Sequence, residues 1–346
     1  MKKGWILAGA AAVACILMLL IGRSSFLLRP NSTDQCIAAT EAFHLLPEQS
    51  LDVIVYGSSH SWRGVSSVEM YERRGIAAYN YGANWQGLST EALYFYDSLR
   101  TQTPKVALVE TYRVNELKAD QDLDGEIYYT RALPDSPYKR EYLRKAFGKD
   151  LKRYLAYCFP FSQFHSGWNQ IGIDSYQVWY TAEDFVNTMG YYYLPEGDRC
   201  SRVTLPDPSS FEQQELSAEV KEVLDGIVET CREKEIALVF FTIPWEGEYH
   251  YSDAMSRYAR DNGCEYLDLF LRVDEIGLDG NTDFLGKGHL NHSGALKVAD
   301  YLADYLSARY ELADMRSVKN NLWEGKRENR TGTRYLEWQA AHAEAE

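Results

Sequence analysis

Two short blocks of this 346-residue chain hold the residue types that acyl transfer needs. The first is Tyr56-Gly57-Ser58-Ser59-His60-Ser61, placed directly after an apolar run that reads as a strand and ahead of a helical pattern. A serine there is presented at the top of a sheet, the glycine permits a tight turn, and amides at a helix start can stabilise a developing oxyanion. Alone, a Gly-Ser-Ser turn says little, because Gly and Ser are common wherever a strand turns into a helix. The second block, Gly288-His289-Leu290-Asn291-His292-Ser293-Gly294-Ala295, stands just before the last helical pattern. A lone histidine at a helix entry is more often a cap or a surface residue. The pairing is what matters: a serine after the first strand and a histidine before the last helix fall on one sheet edge, where His289 can take the proton of Ser59.

The elements that must position them alternate. Buried-strand runs are expected at 51–56 (LDVIVY), 77–81, 105–110 (KVALVE), 236–243 (IALVFFTI) and 265–270. Amphipathic helices are expected at 66–74, 90–99, 217–234, 251–262 and 293–312. Such alternation predicts an α/β fold of three αβα layers around a doubly wound, mainly parallel sheet, with the site at the carboxyl ends of the strands. Residues 114–208 lack a convincing central strand and are rich in Tyr, Trp and Phe; they read as a helical insertion in a domain spanning 50–313. Its rings suit a sugar-stacking lid or ordinary core packing, and packing is the plainer reading, for His165 as well. Residues 314–346 are charged and read as a peripheral or partly disordered tail.

These blocks resemble those of the SGNH/GDSL hydrolase superfamily, and more closely its membrane-anchored bacterial branch, which includes cell-envelope O-acyltransferases and the teichoic-acid D-alanylation protein. Gly57-Ser58-Ser59 matches the block that ends in the nucleophile, and His289, Asn291 and Gly294 match the block that carries the base. Asn80-Tyr81-Gly82-Ala83-Asn84-Trp85-Gln86 looks like the second block, which makes Gly82 an oxyanion-hole amide by resemblance. The resemblance implies a flavodoxin-like sheet of SGNH type and an acyl-serine mechanism. Two departures stand out. The family's Gly-x-Asn-Asp after the third strand is absent, leaving Asn84 and Asn115 as alternative amide donors. Gly286 occupies the position of the family's acid, so the imidazole is oriented either by Asp283, the nearest carboxylate, or by a backbone carbonyl in a Ser-His dyad. Asp283 reads equally well as an Asx-turn residue. His60 and Ser61 line the pocket or, for Ser61, cap the helix; Glu110 and Arg113 are pocket candidates by position.

The rest of the chain bounds the function. A formal net charge of -14 argues against a nucleic-acid partner. The six cysteines form no CxxC pair or zinc-type cluster, and the odd number after Cys15 leaves at least one free buried thiol. No cofactor is implied, since no phosphate-binding glycine loop stands between a strand and a helix. Lys2 and Lys3 precede an apolar run from Gly4 to Gly22, long enough for an uncleaved transmembrane anchor over 1–23, with a cytoplasmic N-terminus, a stem over 24–49 and an external domain. By analogy, the expected substrate is an acylated surface polysaccharide or small ester, with a membrane acyl-donor protein as partner if the acceptor is a sugar hydroxyl. The alternative is a catalytically inactive SGNH-like module that binds glycan or scaffolds an envelope assembly.

Overall fold

Short runs of Val, Ile, Phe and Tyr buried on both faces form the centre of the molecule. The computed structural model describes residues 35–117, 127, 130–158, 180–193 and 199–326, with positions 9, 12, 13 and 15–18 of the leader. Val53–Tyr56 (β1), Ala78–Asn80 (β2), Val106–Glu110 (β3), Ala237–Thr242 (β4) and Glu265–Asp268 (β5) pair in parallel in the order β2-β1-β3-β4-β5. That is the 2-1-3-4-5 order of flavodoxin-like doubly wound sheets, whose direction of winding reverses between β1 and β3. Phe284–Leu285 (β6) and His289–Leu290 (β7) form a separate antiparallel pair, with Leu285 opposite His289.

The helices are Gln35–Phe43 (α1), Ser59–Gly64 (α2), Ser67–Arg74 (α3), Leu88–Ser98 (α4), Pro137–Phe147 (α5), Leu151–Cys158 (α6), Ala182–Asn187 (α7), Ala218–Glu233 (α8), Ser252–Asp261 (α9) and His292–Ser307 (α10). Strand alternation sorts them into layers. Ile54, Tyr56, Ala107, Val109, Leu238 and Phe240 face a core that also contains Leu93 of α4, Leu224 of α8 and Met255 of α9. Val53, Val55, Val106, Leu108, Val239 and Phe241 face the opposite core, with Met70 of α3 and Val298 and Leu302 of α10. Capping sets the helix starts: Ser66, Ser217 and Asn291 each accept the amide three residues on.

Four features differ from the sequence expectation. Ser59–Gly64 is itself helical, because Ser58 caps it through the His60 amide. The last long helix ends at Ser307 rather than 312. In the segment expected to be a stem, α1 buries Cys36, Ile37, Ala38, Ala39, Ala42 and Phe43 and belongs to the domain. The tail also contributes to the core: Trp323 is buried, and its Nε1 donates to the Ala78 carbonyl at 3.0 Å, covering edge strand β2. Trp323→Ala should cost roughly 3–5 kcal/mol, read as a lowered urea midpoint of the full-length chain.

Cys231 is a buried free thiol, and Cys36 is buried in α1. No strand interrupts the described parts of the insertion. The expected anchor lies largely outside the described residues, as does His165; among those described, no helix is long and apolar enough to cross a membrane.

Candidate active site

The nucleophile candidate sits where β1 ends at the switch point. Gly57 makes the turn at φ +141°, and Ser59 is the first residue of α2. This helix is held from several sides. Asn80, closing β2, donates from Nδ2 to the carbonyls of Ser61 and Val65, both at 2.8 Å. Trp62 is fully buried, donates to the Gly190 carbonyl at 2.8 Å and stacks on Tyr192 with ring centres 4.4 Å apart. The end of the aromatic insertion is thus packing against the nucleophile helix, the plainer of its two expected roles.

His289 lies on β7, and its Nε2 is 2.9 Å from Ser59 Oγ although 230 residues separate them. Both side chains are half-buried, so the pair is reachable from outside. Burial, and secondarily the Arg63 cation, push the His289 imidazole down to about 3. The ring is therefore neutral at physiological pH, and a serine hydroxyl can donate to its Nε2.

Asp283 does not complete a triad. It is fully buried, but its carboxylate accepts from Lys297 Nζ at 2.6 Å, Ser293 Oγ at 2.9 Å and the Asp279 amide at 2.7 Å. Ser293 and Lys297 are one turn apart on α10, so the acid pins the 279–283 turn to that helix; it is not the Asx-turn residue either, since Asp279 accepts the Asn281 amide in that role. Among the described residues, no carboxylate makes an ion pair with His289. Asp283→Asn should therefore cost about 2 kcal/mol of stability through lost charge-assisted bonds, yet leave Ser59 reactivity within severalfold. Loss of a true triad acid costs about 10⁴. Thermal melts and probe-labelling rates of one preparation separate these outcomes.

The other expected site residues divide. The Gly82 amide is spent on Asn80 Oδ1 at 3.1 Å and the Ala83 amide on the Gly57 carbonyl at 3.1 Å, so neither amide is offered to an oxyanion. Gly82 is required by space instead: a Cβ there would lie 3.0 Å from both the Gly57 carbonyl oxygen and Ser61 Oγ. Asn115 turns towards α8, where its Oδ1 meets the Ser217 amide at 3.5 Å. Asn84 is brought in, because its Oδ1 accepts from Arg63 Nη2 at 3.0 Å, and Arg63 stands one turn beyond Ser59 on the same helix face. With Oδ1 held by Arg63, Nδ2 is the end left to donate.

No protein-family model matches the chain, and no curated protein does either. The chemistry therefore rests on the geometry. His60 is buried and stacked on Tyr112, ring centres 3.6 Å apart, with Trp245 edge-on at 5.4 Å and His289 at 5.0 Å. Desolvation foremost, then His289, holds the His60 imidazole well below its ordinary range, so it is a neutral wall of the site. Arg63, Tyr112 and Trp245 were not foreseen as site residues. Tyr112 and Trp245 follow β3 and β4 at the carboxyl edge, so the switch-point rule could have found them; Arg63 needed the unforeseen helix α2.

Proposed function

We propose that the chain is an SGNH-type serine esterase or O-acyltransferase working through an acyl-Ser59 intermediate. The observation that carries this reading is the 2.9 Å contact between His289 Nε2 and Ser59 Oγ at the switch-point edge of the sheet. Ser59 Oγ attacks an ester carbonyl while its proton passes to His289 Nε2, and the oxyanion is met by the Ser59 amide and Asn84 Nδ2. Collapse of the tetrahedral adduct breaks the ester C–O bond, and the leaving oxygen takes the proton back from Nε2. Water or a sugar hydroxyl then repeats the sequence on the acyl-serine, giving hydrolysis or transfer. No metal or cofactor enters these steps. The apolar leader supports a membrane-anchored, external setting, which makes an acylated envelope glycan the natural substrate and a membrane acyl donor the natural partner.

One observation favours the second reading, an inactive glycan-binding or scaffolding module: among the described residues no carboxylate forms an ion pair with His289, and Arg63 disfavours an imidazolium there. The test is a fluorophosphonate probe applied to the full-length chain in detergent, followed by intact mass and peptide mapping. A single adduct on Ser59, dependent on His289, supports the enzyme. A folded wild type without an adduct supports the module.

A further inference from the structure

Glu110 is a buried acid that the Ser59–His289 chemistry leaves unused. It closes β3 beside β1, and its two oxygens are divided between two donors. Oε1 accepts the Tyr112 amide at 2.6 Å and Oε2 accepts the Ser58 hydroxyl at 3.0 Å. A carboxylate only accepts, so the single Ser58 hydroxyl proton is committed to Glu110 and a lone pair is left for the His60 amide, 3.3 Å away. That second contact is the N-cap of α2, the helix that begins with Ser59. The acid also packs directly on the turn: a Cβ at Gly57 would come 2.5 Å from Glu110 Cβ and 3.2 Å from Oε2. We propose that Glu110 is a positioning residue for the nucleophile, fixing the cap of α2 through Ser58 and so aiming Ser59 at His289. The inference rests on the acyl-transfer reading of that pair.

The surroundings make this contact depend on pH. Glu110 faces Glu91 of α4, Tyr112 and Arg113 after β3, and Tyr249 after β4, with His60 next to it on α2. Burial pushes the Glu91 carboxyl and both phenols upward and the His60 imidazole downward, so these stay uncharged near neutrality. Burial also raises Glu110, to about 7, against the pull of the Tyr112 and Ser58 donors and of Arg113. Once protonated, Glu110 is no longer a charged acceptor for the Ser58 hydroxyl, so the charge-assisted bond that fixes the cap of α2 weakens.

The experiment measures fluorophosphonate labelling rates of the full-length chain from pH 5 to 9 for wild type, Glu110→Gln and Ser58→Ala, with hydrogen exchange over 57–64. Wild type should label faster as pH rises through about 7, since His289 is already neutral there. Glu110→Gln should be about ten- to a hundredfold slower at pH 8 and lose that rise, and Ser58→Ala should follow it, both with faster exchange at His60. An unaltered rate and pH profile in Glu110→Gln overturns the proposal, as does faster exchange with an unaltered profile, which is what a merely structural contact would give. If wild type shows no adduct at any pH, the acyl-transfer reading fails and the aiming role falls with it, whereas an adduct on wild type with an unaltered rate and profile in Glu110→Gln overturns the aiming role alone.

Discussion

Ser59→Ala should leave the full-length chain folded but without any fluorophosphonate adduct, and His289→Ala should slow adduct formation roughly 10²- to 10⁴-fold, the span of general-base catalysis. Both effects follow from one contact, 2.9 Å between Nε2 and Oγ. Only the His289 effect should depend on the medium: an added small imidazole base, reaching the space the ring leaves, should restore part of the rate in His289→Ala and none in Ser59→Ala. Labelling by a turn serine with ordinary reactivity would be equal in wild type and His289→Ala, and that result would remove the acyl-transfer reading. With the His289 imidazole at about 3, the base itself imposes no acid limb between pH 8 and 5. A loss of rate near neutrality therefore has another origin, and Glu110 is the buried acid placed to supply it.

The same acid links activity to stability. Its folded value, about 7, lies above the ordinary 4.5. The folded state thus holds a proton that the unfolded chain has released between those values, so this contribution is fully present below about pH 4.5 and is lost as pH rises through 7. At one unit per 1.36 kcal/mol, ionising Glu110 costs the fold on the order of 3 kcal/mol at pH 8. A Gln there should raise the melting temperature at pH 8 while lowering labelling, the pattern of a buried group kept for function at a cost in stability.

The sheet was legible in the sequence because its strands are buried on both faces and read as unbroken apolar runs; KVALVE and IALVFFTI have no other reading at that length. Ser59 and His289 were legible for a related reason, since the order of elements alone places a residue after β1 and a residue before the last helix on one edge. Asp283 was misjudged because distance along the chain does not show where a side chain is spent, and Lys297 and Ser293 on the following helix claim it. Gly82 was chosen by resemblance as an amide donor, whereas its lack of a side chain is what the packing uses. Trp323 gave no periodic signal: a single aromatic in a charged tail looks solvent-facing until an edge strand is there to be covered. Arg63 depends on a six-residue helix started by one serine, too short for any periodicity to declare, whereas its partner Asn84 was already named from the second block.

Gly57→Ala should be the most damaging small substitution in the site. The backbone there has φ +141°, which side-chain-bearing residues rarely adopt, at a cost on the order of 1–3 kcal/mol. The added methyl would also meet Glu110 Cβ at 2.5 Å and Ser61 Oγ at 2.7 Å, and neither neighbour is free to retreat. Glu110 is fixed by its strand and its two hydrogen bonds, and Ser61 belongs to α2, which Asn80 and Trp62 hold in place. The turn must therefore move as a unit, and Ser59 moves with it. The expected outcome is a loss of at least about 3 kcal/mol by urea unfolding, together with labelling more than about a hundredfold slower in whatever remains folded. Shortening the acid as well separates clash from dihedral strain. Gly57→Ala combined with Glu110→Gly removes the closest contact, so stability should return in part, while labelling stays low because the Ser58 cap has lost its partner. A double variant that regains the wild-type labelling rate would show that the approach of Glu110 matters to the turn only as bulk, and would count against its role in aiming the serine.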